Sequence, residues 1–204
     1  MPAKTPWKRM DAIESPPPLL EDYLEACYFA RDYWARRGFQ ASECNRIISN
    51  FKKSPDRKAN QWEWKHKIKA IDQFASELAE FLEDGDTVAF IPTSKQRGSA
   101  NFDDRFDQVS ARLSKLAPGV EIVEPLVTAT SRKAAHEGGD RTVKSIRASI
   151  ECVGLDEIPD DGLFLIDDVV TAGTHFLACA KLLEATHPGI EIGGIFWART
   201  IWAE

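Results

Sequence analysis

The stretch that decides the fold is residues 163–174, which read LFLIDDVVTAGT. Its first four residues are uninterruptedly apolar, which is typical of a strand buried on both faces of a parallel sheet. Asp167 and Asp168 follow directly, and the small and hydroxyl-bearing residues 171–174 then enter an apolar-periodic segment over 172–186. The pattern predicts a buried strand, an acid pair and a turn that begins a helix.

This order of residue types suits a phosphorylated sugar. Buried carboxylates are costly without partners, and sugar hydroxyls or a divalent cation are suitable partners. The free N–H groups at the start of a helix, and the positive end of its dipole, suit a phosphate. Gly173 would let the phosphate approach the backbone, and Thr171 and Thr174 could bind it through their hydroxyl groups. An ordinary strand-to-helix turn with an Asp cap is the alternative. A Walker-type acid pair is excluded because the chain has no G-x-x-x-x-G-K-[ST] motif.

The surrounding segments alternate between strand and helix. Helices are predicted over residues 102–116 and 172–186. Strands are predicted at 87–91, 120–127, 146–150, 163–166 and 190–199. Such alternation predicts an α/β fold with a mostly parallel twisted sheet flanked by helices.

Residues 1–82 follow a helical pattern instead. Apolar spacing predicts helices from about residue 20 to Gly38, from Ser42 to Phe51 and from Trp64 to Leu82. We therefore expect an N-terminal helical lobe over 1–82, packed on an α/β core over 83–204.

Composition narrows the classes of protein. The 204 residues carry a net charge of −6, which disfavours general binding to nucleic acids and to anionic membrane surfaces. The four cysteines lack metal-ligand spacing and predict neither a structural zinc site nor a disulfide framework. The sequence has no secretory signal and no apolar run of membrane-spanning length, so we expect a cytoplasmic protein.

A second candidate loop, residues 92–98 (PTSKQRG), follows the predicted strand at 87–91. Ligands of open α/β sheets bind beyond the carboxyl ends of the strands, so this loop and residues 167–174 should meet at one edge. Ser94, Lys95 and Arg97 could bind phosphate oxygens there. A solvated basic turn is the alternative.

Residues 128–144 have no apolar period and contain two adjacent glycines, which predicts a long loop. Its cations could fold over a bound anion, or simply face solvent. The candidates are Arg132, Lys133, Arg141 and Lys144.

Residues 163–174 resemble the signature with which type I phosphoribosyltransferases bind 5-phosphoribosyl-1-pyrophosphate (PRPP), although Ala172 stands where threonine is more usual. Residues 47–57, 91–98 and 140–150 narrow the resemblance to the ComF-like branch of that family. The likeness spans about residues 45–200, but the zinc-finger-like cysteines often found at the start of ComF proteins are absent.

The resemblance implies a Mg²⁺-dependent enzyme that transfers the phosphoribosyl group of PRPP to a nitrogenous acceptor, and a homodimer. It implies that Asp167 and Asp168 bind ribose and Mg²⁺, directly or through water, and that residues 128–144 form a catalytic lid. It further places the 5′-phosphate on Thr171, Ala172, Gly173 and Thr174, and pyrophosphate on Ser94, Lys95 and Arg97. A PRPP or nucleotide sensor, or a hydrolase of these compounds, remains an alternative.

Overall fold

The structure, a computed structural model, describes residues 7–131, 142–154, 158–159 and 162–202. Its helices and strands alternate over most of the chain. The strands are β1 (Lys8–Arg9), β2 (Cys27–Phe29), β3 (Asp32–Trp34), β4 (Thr87–Phe90), β5 (Glu121–Ile122), β6 (Leu126–Thr128), β7 (Ile150–Cys152), β8 (Leu163–Val170) and β9 (Ile192–Ile201). The α-helices are α1 (Glu43–Phe51), α2 (Gln61–Phe81), α3 (Arg105–Leu116), α4 (Val143–Arg147) and α5 (Thr174–Thr186).

A central sheet of seven strands organises the described residues. Its order is β1-β2-β9-β8-β4-β5, with β3 also pairing with β9. Every pair except β1–β2 is parallel. Strands β6 and β7 form a separate antiparallel pair. The predicted α/β class with a mostly parallel sheet is confirmed.

Helices cover both faces of this sheet and divide the core in two. Buried residues of α5, among them Phe176 and Cys179, pack on one face together with Leu165. Buried residues of α1, α2 and α3 pack on the other face around Ile166 and Trp197. We call these the α5 face and the α1–α3 face. Since parallel strands are buried on both sides, β8 has no polar residue over Leu163–Ile166 and β9 has none over Ile192–Ala198.

The helix predicted from residue 20 to Gly38 is wrong. A 3₁₀ turn (Glu21–Ala26) leads there into β2 and β3, which pair in parallel with β9. Aromatic residues favour strands. The edge of β9 that faces away from β8 offers hydrogen-bond partners to these strands, and pairing with it outweighs the helical spacing of the apolar residues. Helices α1 and α2 confirm the other two predictions, and a domain boundary at residue 82 stays a prediction.

Two smaller predictions also change. The half-exposed strand expected over 146–150 is replaced by the end of helix α4 and a turn at Ala148 and Ser149, and strand β7 begins only at Ile150. Thr142 caps α4 by accepting from the N–H of Ser145. The strand expected over 120–127 is split into β5 and β6 around Pro125, which has no N–H for a continuous ladder.

Glu77 ties helix α2 to the sheet. The Arg31 guanidinium donates to both of its carboxylate oxygens at 2.7 Å, and Trp197 Nε1 donates at 2.6 Å. Burial alone would raise the pKa of Glu77, but Arg31, Gln73 and Trp197 together hold it below its usual value. One buried carboxylate thus joins α2, the segment between β2 and β3, and β9.

Loss of this carboxylate should destabilise the fold. Glu77→Ala leaves a largely buried guanidinium unpaired, and we expect it to lower the free energy of unfolding by about 3 kcal/mol in urea denaturation. Glu80→Ala, on the exposed side of the same helix, is the control and should change it by less than about 0.5 kcal/mol. Equal effects of the two variants would contradict the role given to Glu77.

Among the described residues, no helix combines the length and the hydrophobicity needed to cross a bilayer. All four cysteines are free thiols, and Cys27, Cys44 and Cys179 are buried.

Candidate functional site

The candidate site lies at a switch point of the sheet, between the carboxyl ends of β4 and β8. These strands are parallel neighbours, with Phe90 opposite Ile166 and the N–H of Ile91 donating to the Ile166 carbonyl at 2.9 Å. After β4 the chain turns to helix α3 on one face, and after β8 it turns to helix α5 on the other. Adjacent loops that diverge in this way leave a crevice where α/β proteins bind ligands. Residues 92–98 and 171–174 border it, as the sequence predicts.

The two acids are residues of the strand itself. Strand β8 continues to Val170, past the end of β4 at Phe90, so it carries both carboxylates beyond its neighbour. Successive residues of a strand point to opposite faces. Asp167 therefore shares the α5 face with Leu165, and Asp168 shares the α1–α3 face with Ile166.

Asp168 is a buried carboxylate held between two cations. It is 3% exposed; its Oδ1 lies 2.8 Å from Lys52 Nζ and its Oδ2 lies 3.1 Å from Arg105 Nη2. Burial acts to raise the pKa of Asp168, but the charges of Lys52 and Arg105 outweigh burial and hold it below its usual value. Asp168 is therefore ionised and neutralised within the protein.

The Asp168 pair belongs to a longer chain of charges. Arg105 Nη1 donates to Asp103 Oδ2 at 2.8 Å, and both oxygens of Asp103 accept from Lys67 Nζ at 2.8 and 2.9 Å. Lys67 is wholly buried and also donates to the carbonyl oxygens of Phe51 and Lys53. Burial lowers the pKa of Lys67, against the attraction of Asp103. We call Lys52, Asp168, Arg105, Asp103 and Lys67 the charge ladder.

Asp167 has a different environment. Its side chain is partly exposed, and its Oδ1 accepts the N–H of Asp168 at 2.8 Å. No side chain of the described residues forms a hydrogen bond or ion pair with it. Burial, together with repulsion from Asp168, raises the pKa of Asp167 to about 7. Asp167 is thus the acid of the pair that is available to a ligand.

Residues 171–174 have the geometry expected at the start of a helix. Gly173 adopts φ +89° and precedes α5, whose first-turn N–H groups have no acceptors within the helix. An N-terminal segment packs against the loop: the N–H of Leu19 donates to the Ala172 carbonyl at 3.0 Å, and a Cβ at position 173 would lie 2.8 Å from Leu20 Cδ2. Thr171 is exposed and shares a hydrogen bond with Thr200 at 2.8 Å.

The second loop is held on both sides. Ser94 and Lys95 are partly buried, and the N–H of Gln96 donates to Ser131 Oγ at 2.9 Å. The exposed Arg97 side chain forms ion pairs with Asp107, at 2.6 Å, and Glu124. In this conformation Arg97 is directed toward these carboxylates, so contact with a bound anion would require it to change partners.

A cavity of about 380 Å³ adjoins the second loop. Aromatic rings of Phe90, Phe102 and Phe106 form part of its wall, and the second loop contributes Pro92, Thr93, Lys95, Gln96 and Arg97 to its lining. It therefore offers apolar surface beside the loop that we expect to bind an anion.

The lid prediction falls largely on residues that the structure does not describe. Arg132, Lys133 and Arg141 lie outside the described residues. Lys144 is exposed in the first turn of α4, near the end of the same stretch. A role for these four cations stays a prediction.

Lys52 and Arg105 were missed by reasoning from the sequence. Lys52 follows the last turn of α1, and Arg105 is the first residue of α3. A basic residue at a helix end reads as a solvated charge, and spacing along the chain does not reveal that both contact Asp168. The available signal was the buried acid itself, which requires cations from elsewhere in the fold.

A metal ion at this site would need donor atoms from the bound substrate as well as from the protein. Within the part of the chain that the structure describes, no group of three or more metal-ligating side chains occurs. Mg²⁺ is commonly bound by one or two carboxylates together with waters and substrate phosphates, rather than by an all-protein cage. One available carboxylate, Asp167, beside two phosphate-suited loops fits that pattern.

Comparisons with known proteins gave a structural similarity without a sequence match. No family model matches the chain, and no curated protein matches its sequence. Among solved structures, an adenine phosphoribosyltransferase from Leishmania tarentolae aligns with a TM-score of 0.41 at 12% identity, over 85% of this chain and 91% of its own. Similarity at this level establishes neither the substrate nor the reaction of this chain.

The raised pKa of Asp167 predicts a destabilising contribution with a defined pH dependence. An acid whose pKa is higher in the folded state costs stability as pH rises from its unfolded value, about 4, toward its folded one. We expect Asp167→Asn, without metal, to raise Tm at pH 8 by about 2–4 °C. The gain should vanish near pH 4. A variant less stable than wild type at pH 8 would contradict this environment.

Proposed function

We propose that this chain binds PRPP at the crevice between β4 and β8 and transfers its phosphoribosyl group to a nitrogenous acceptor. The observation that carries the proposal is the divergence of two phosphate-suited loops from neighbouring parallel strands, with Asp167 beside both. One loop begins a helix, and the other contains Lys95 and Arg97. A ligand with phosphates at both ends of a sugar matches that arrangement.

In this proposal each part of PRPP has its own contacts. The 5′-phosphate binds the N–H groups of residues 171–174 and the positive end of α5. Asp167, on the α5 face, accepts hydrogen bonds from the ribose hydroxyls. The pyrophosphate binds residues 94–97. Asp168 supports this edge through the charge ladder, which refines the expectation that both acids contact ribose.

Mg²⁺ fits the proposal as an ion carried by the substrate. Asp167 would hold it, directly or through water, and Asp168 would contribute only through the field of the pair. When bound, the ion neutralises charge on the departing pyrophosphate.

The reaction needs positioning and charge stabilisation rather than a protein nucleophile. The acceptor nitrogen attacks C1 of the ribose, the C1–O bond breaks, and pyrophosphate leaves with the bonding electrons. Lys95 and Arg97 stabilise the charge on the leaving group, once Arg97 releases Asp107 and Glu124. Residues 128–144 would exclude water, which otherwise hydrolyses the ribosyl centre.

A sensor that binds PRPP without catalysis is the second candidate. The ion pairs of Arg97 with Asp107 and Glu124 favour it, because a sensor does not need Arg97 to stabilise the charge on a departing pyrophosphate. The acceptor separates the candidates, since only an enzyme releases pyrophosphate. A homodimer stays a prediction.

The test of the proposal combines binding with turnover. We expect calorimetry with PRPP and Mg²⁺ to show one site per chain. A panel of purines, pyrimidines and related acceptors should identify at least one that releases pyrophosphate from PRPP. Binding without release from any acceptor would favour the sensor, and release without any acceptor would indicate a hydrolase. No binding of PRPP would contradict all three.

The second loop should discriminate between the two ends of PRPP. Charge-assisted contacts contribute about 1.5–3 kcal/mol each, so Lys95→Met with Arg97→Met should weaken pyrophosphate binding at least about tenfold. Ribose 5-phosphate binding should change much less, as calorimetry can measure. Lys115→Met, an exposed change on α3, is the control and should affect neither ligand. Equal losses for both ligands would place pyrophosphate elsewhere.

A further inference from the structure

We infer that Lys52 is a further substrate-binding residue, which bridges Asp168 and the pyrophosphate group of the ligand. This inference rests on the proposed function and adds a contact from helix α1, outside the predicted α/β core. Its basis is an incompletely used ammonium group that contacts Asp168 near the carboxyl end of β8.

The ammonium group of Lys52 has donors to spare. A lysine carries three N–H donors, and Lys52 Nζ contacts one described acceptor, Asp168 Oδ1, at 2.8 Å. Its side chain is 43% exposed, whereas that of Asp168 is 4% exposed. The pair thus places a cation at the surface while its anion remains buried. The donors that Asp168 does not use are available to an anionic ligand.

Arg105 cannot take this role, although it also contacts Asp168. Its side chain is 16% exposed, and its guanidinium is committed to Asp103 as well as to Asp168. Lys67, at the far end of the ladder, is wholly buried. The Nε donor of Arg105 has no hydrogen-bond partner but is buried, so Lys52 is the most exposed cation of the charge ladder and the one whose unused donors face solvent.

The face of the sheet on which Lys52 lies favours its contact with pyrophosphate over contact with the 5′-phosphate. Asp168 and Lys52 lie on the α1–α3 face, whereas α5, which would bind the 5′-phosphate, packs on the opposite face. The second loop leads from β4 into α3, so it passes toward the same side as Lys52. An anion on residues 94–97 is therefore the phosphate group nearest to the Lys52 side of the crevice.

The neighbouring Lys53 provides a matched control. Its Nζ donates to Asn50 Oδ1 at 2.6 Å and to the Glu63 carbonyl at 3.2 Å, so it is engaged away from Asp168. The two lysines share sequence context and charge and differ in their contacts. A general effect of removing positive charge from this segment would affect both.

The first experiment measures inorganic pyrophosphate, PRPP and ribose 5-phosphate binding by calorimetry with Mg²⁺. Lys52→Gln keeps a donor for Asp168 but removes the charge. We expect it to weaken pyrophosphate and PRPP binding at least about tenfold, as the loss of a charge-assisted contact implies, and ribose 5-phosphate binding by less than about threefold. Lys52→Arg should recover most of the loss, and Lys53→Gln should leave all three affinities unchanged.

The second experiment uses the wild-type chain and does not depend on a variant folding. Amine-directed labelling followed by mass spectrometry should show that pyrophosphate protects Lys52 beyond the protection seen without ligand. Ribose 5-phosphate should not protect it, and Lys53 should be labelled equally in all samples.

The outcomes separate this inference from the proposed function. Wild type that binds PRPP, with Lys52→Gln binding pyrophosphate equally well, overturns the inference alone. Equal losses of pyrophosphate and ribose 5-phosphate, or labelling of Lys52 that pyrophosphate does not change, also overturn it. Wild type that binds neither PRPP nor pyrophosphate overturns both.

Discussion

The burial of the Asp168 carboxylate constrains this end of the molecule more than any other single feature. A charge removed from water must be neutralised by groups that are fixed in place. Here the neutralising groups are Lys52, at the end of α1, and Arg105, at the start of α3. Arg105 also pairs with Asp103, which in turn pairs with Lys67 of α2. Three helices distant in sequence are thereby brought to the end of one strand. These ion pairs link the helices to the strand beside the crevice.

That constraint also explains why two adjacent acids behave differently. Strand geometry turns them to opposite faces, and among the described residues Lys52 and Arg105 form ion pairs with Asp168 on its face. Asp168 is consequently held in its charged form, while proximity to Asp168 and burial raise the pKa of Asp167. Sites that bind ligands often retain groups that are suboptimal for stability, and Asp167 fits that description. The sheet topology then places this acid between residues 92–98 and residues 171–174, at the carboxyl ends of β4 and β8.

Much of this arrangement could be predicted from local patterns. The run at 163–166 predicts a buried strand because both faces of a parallel sheet are apolar, and the turn at 171–174 predicts a helix start. The segment before Gly38 could not be predicted in the same way, because its strands exist only where β9 offers an open edge. Nor do local patterns reveal the partners of Asp168: Lys52 and Arg105 are 116 and 63 positions away from it in the sequence, and an ion pair leaves no periodic trace. Extending the strand past Ile166 would have shown that the two acids diverge.

The contact between Leu20 and Gly173 has a consequence for how this chain can change. A side chain at position 173 would meet Leu20 at 2.8 Å and would also require a left-handed backbone conformation. Enlarging residue 173 therefore demands that the segment carrying Leu19 and Leu20 withdraw, which would also break its hydrogen bond to the Ala172 carbonyl. Trimming Leu20 alone would relieve the overlap but leave the backbone conformation unfavourable. Substitutions at positions 20 and 173 are therefore coupled. The N-terminal segment can vary in sequence freely only where it does not cover residues 171–174.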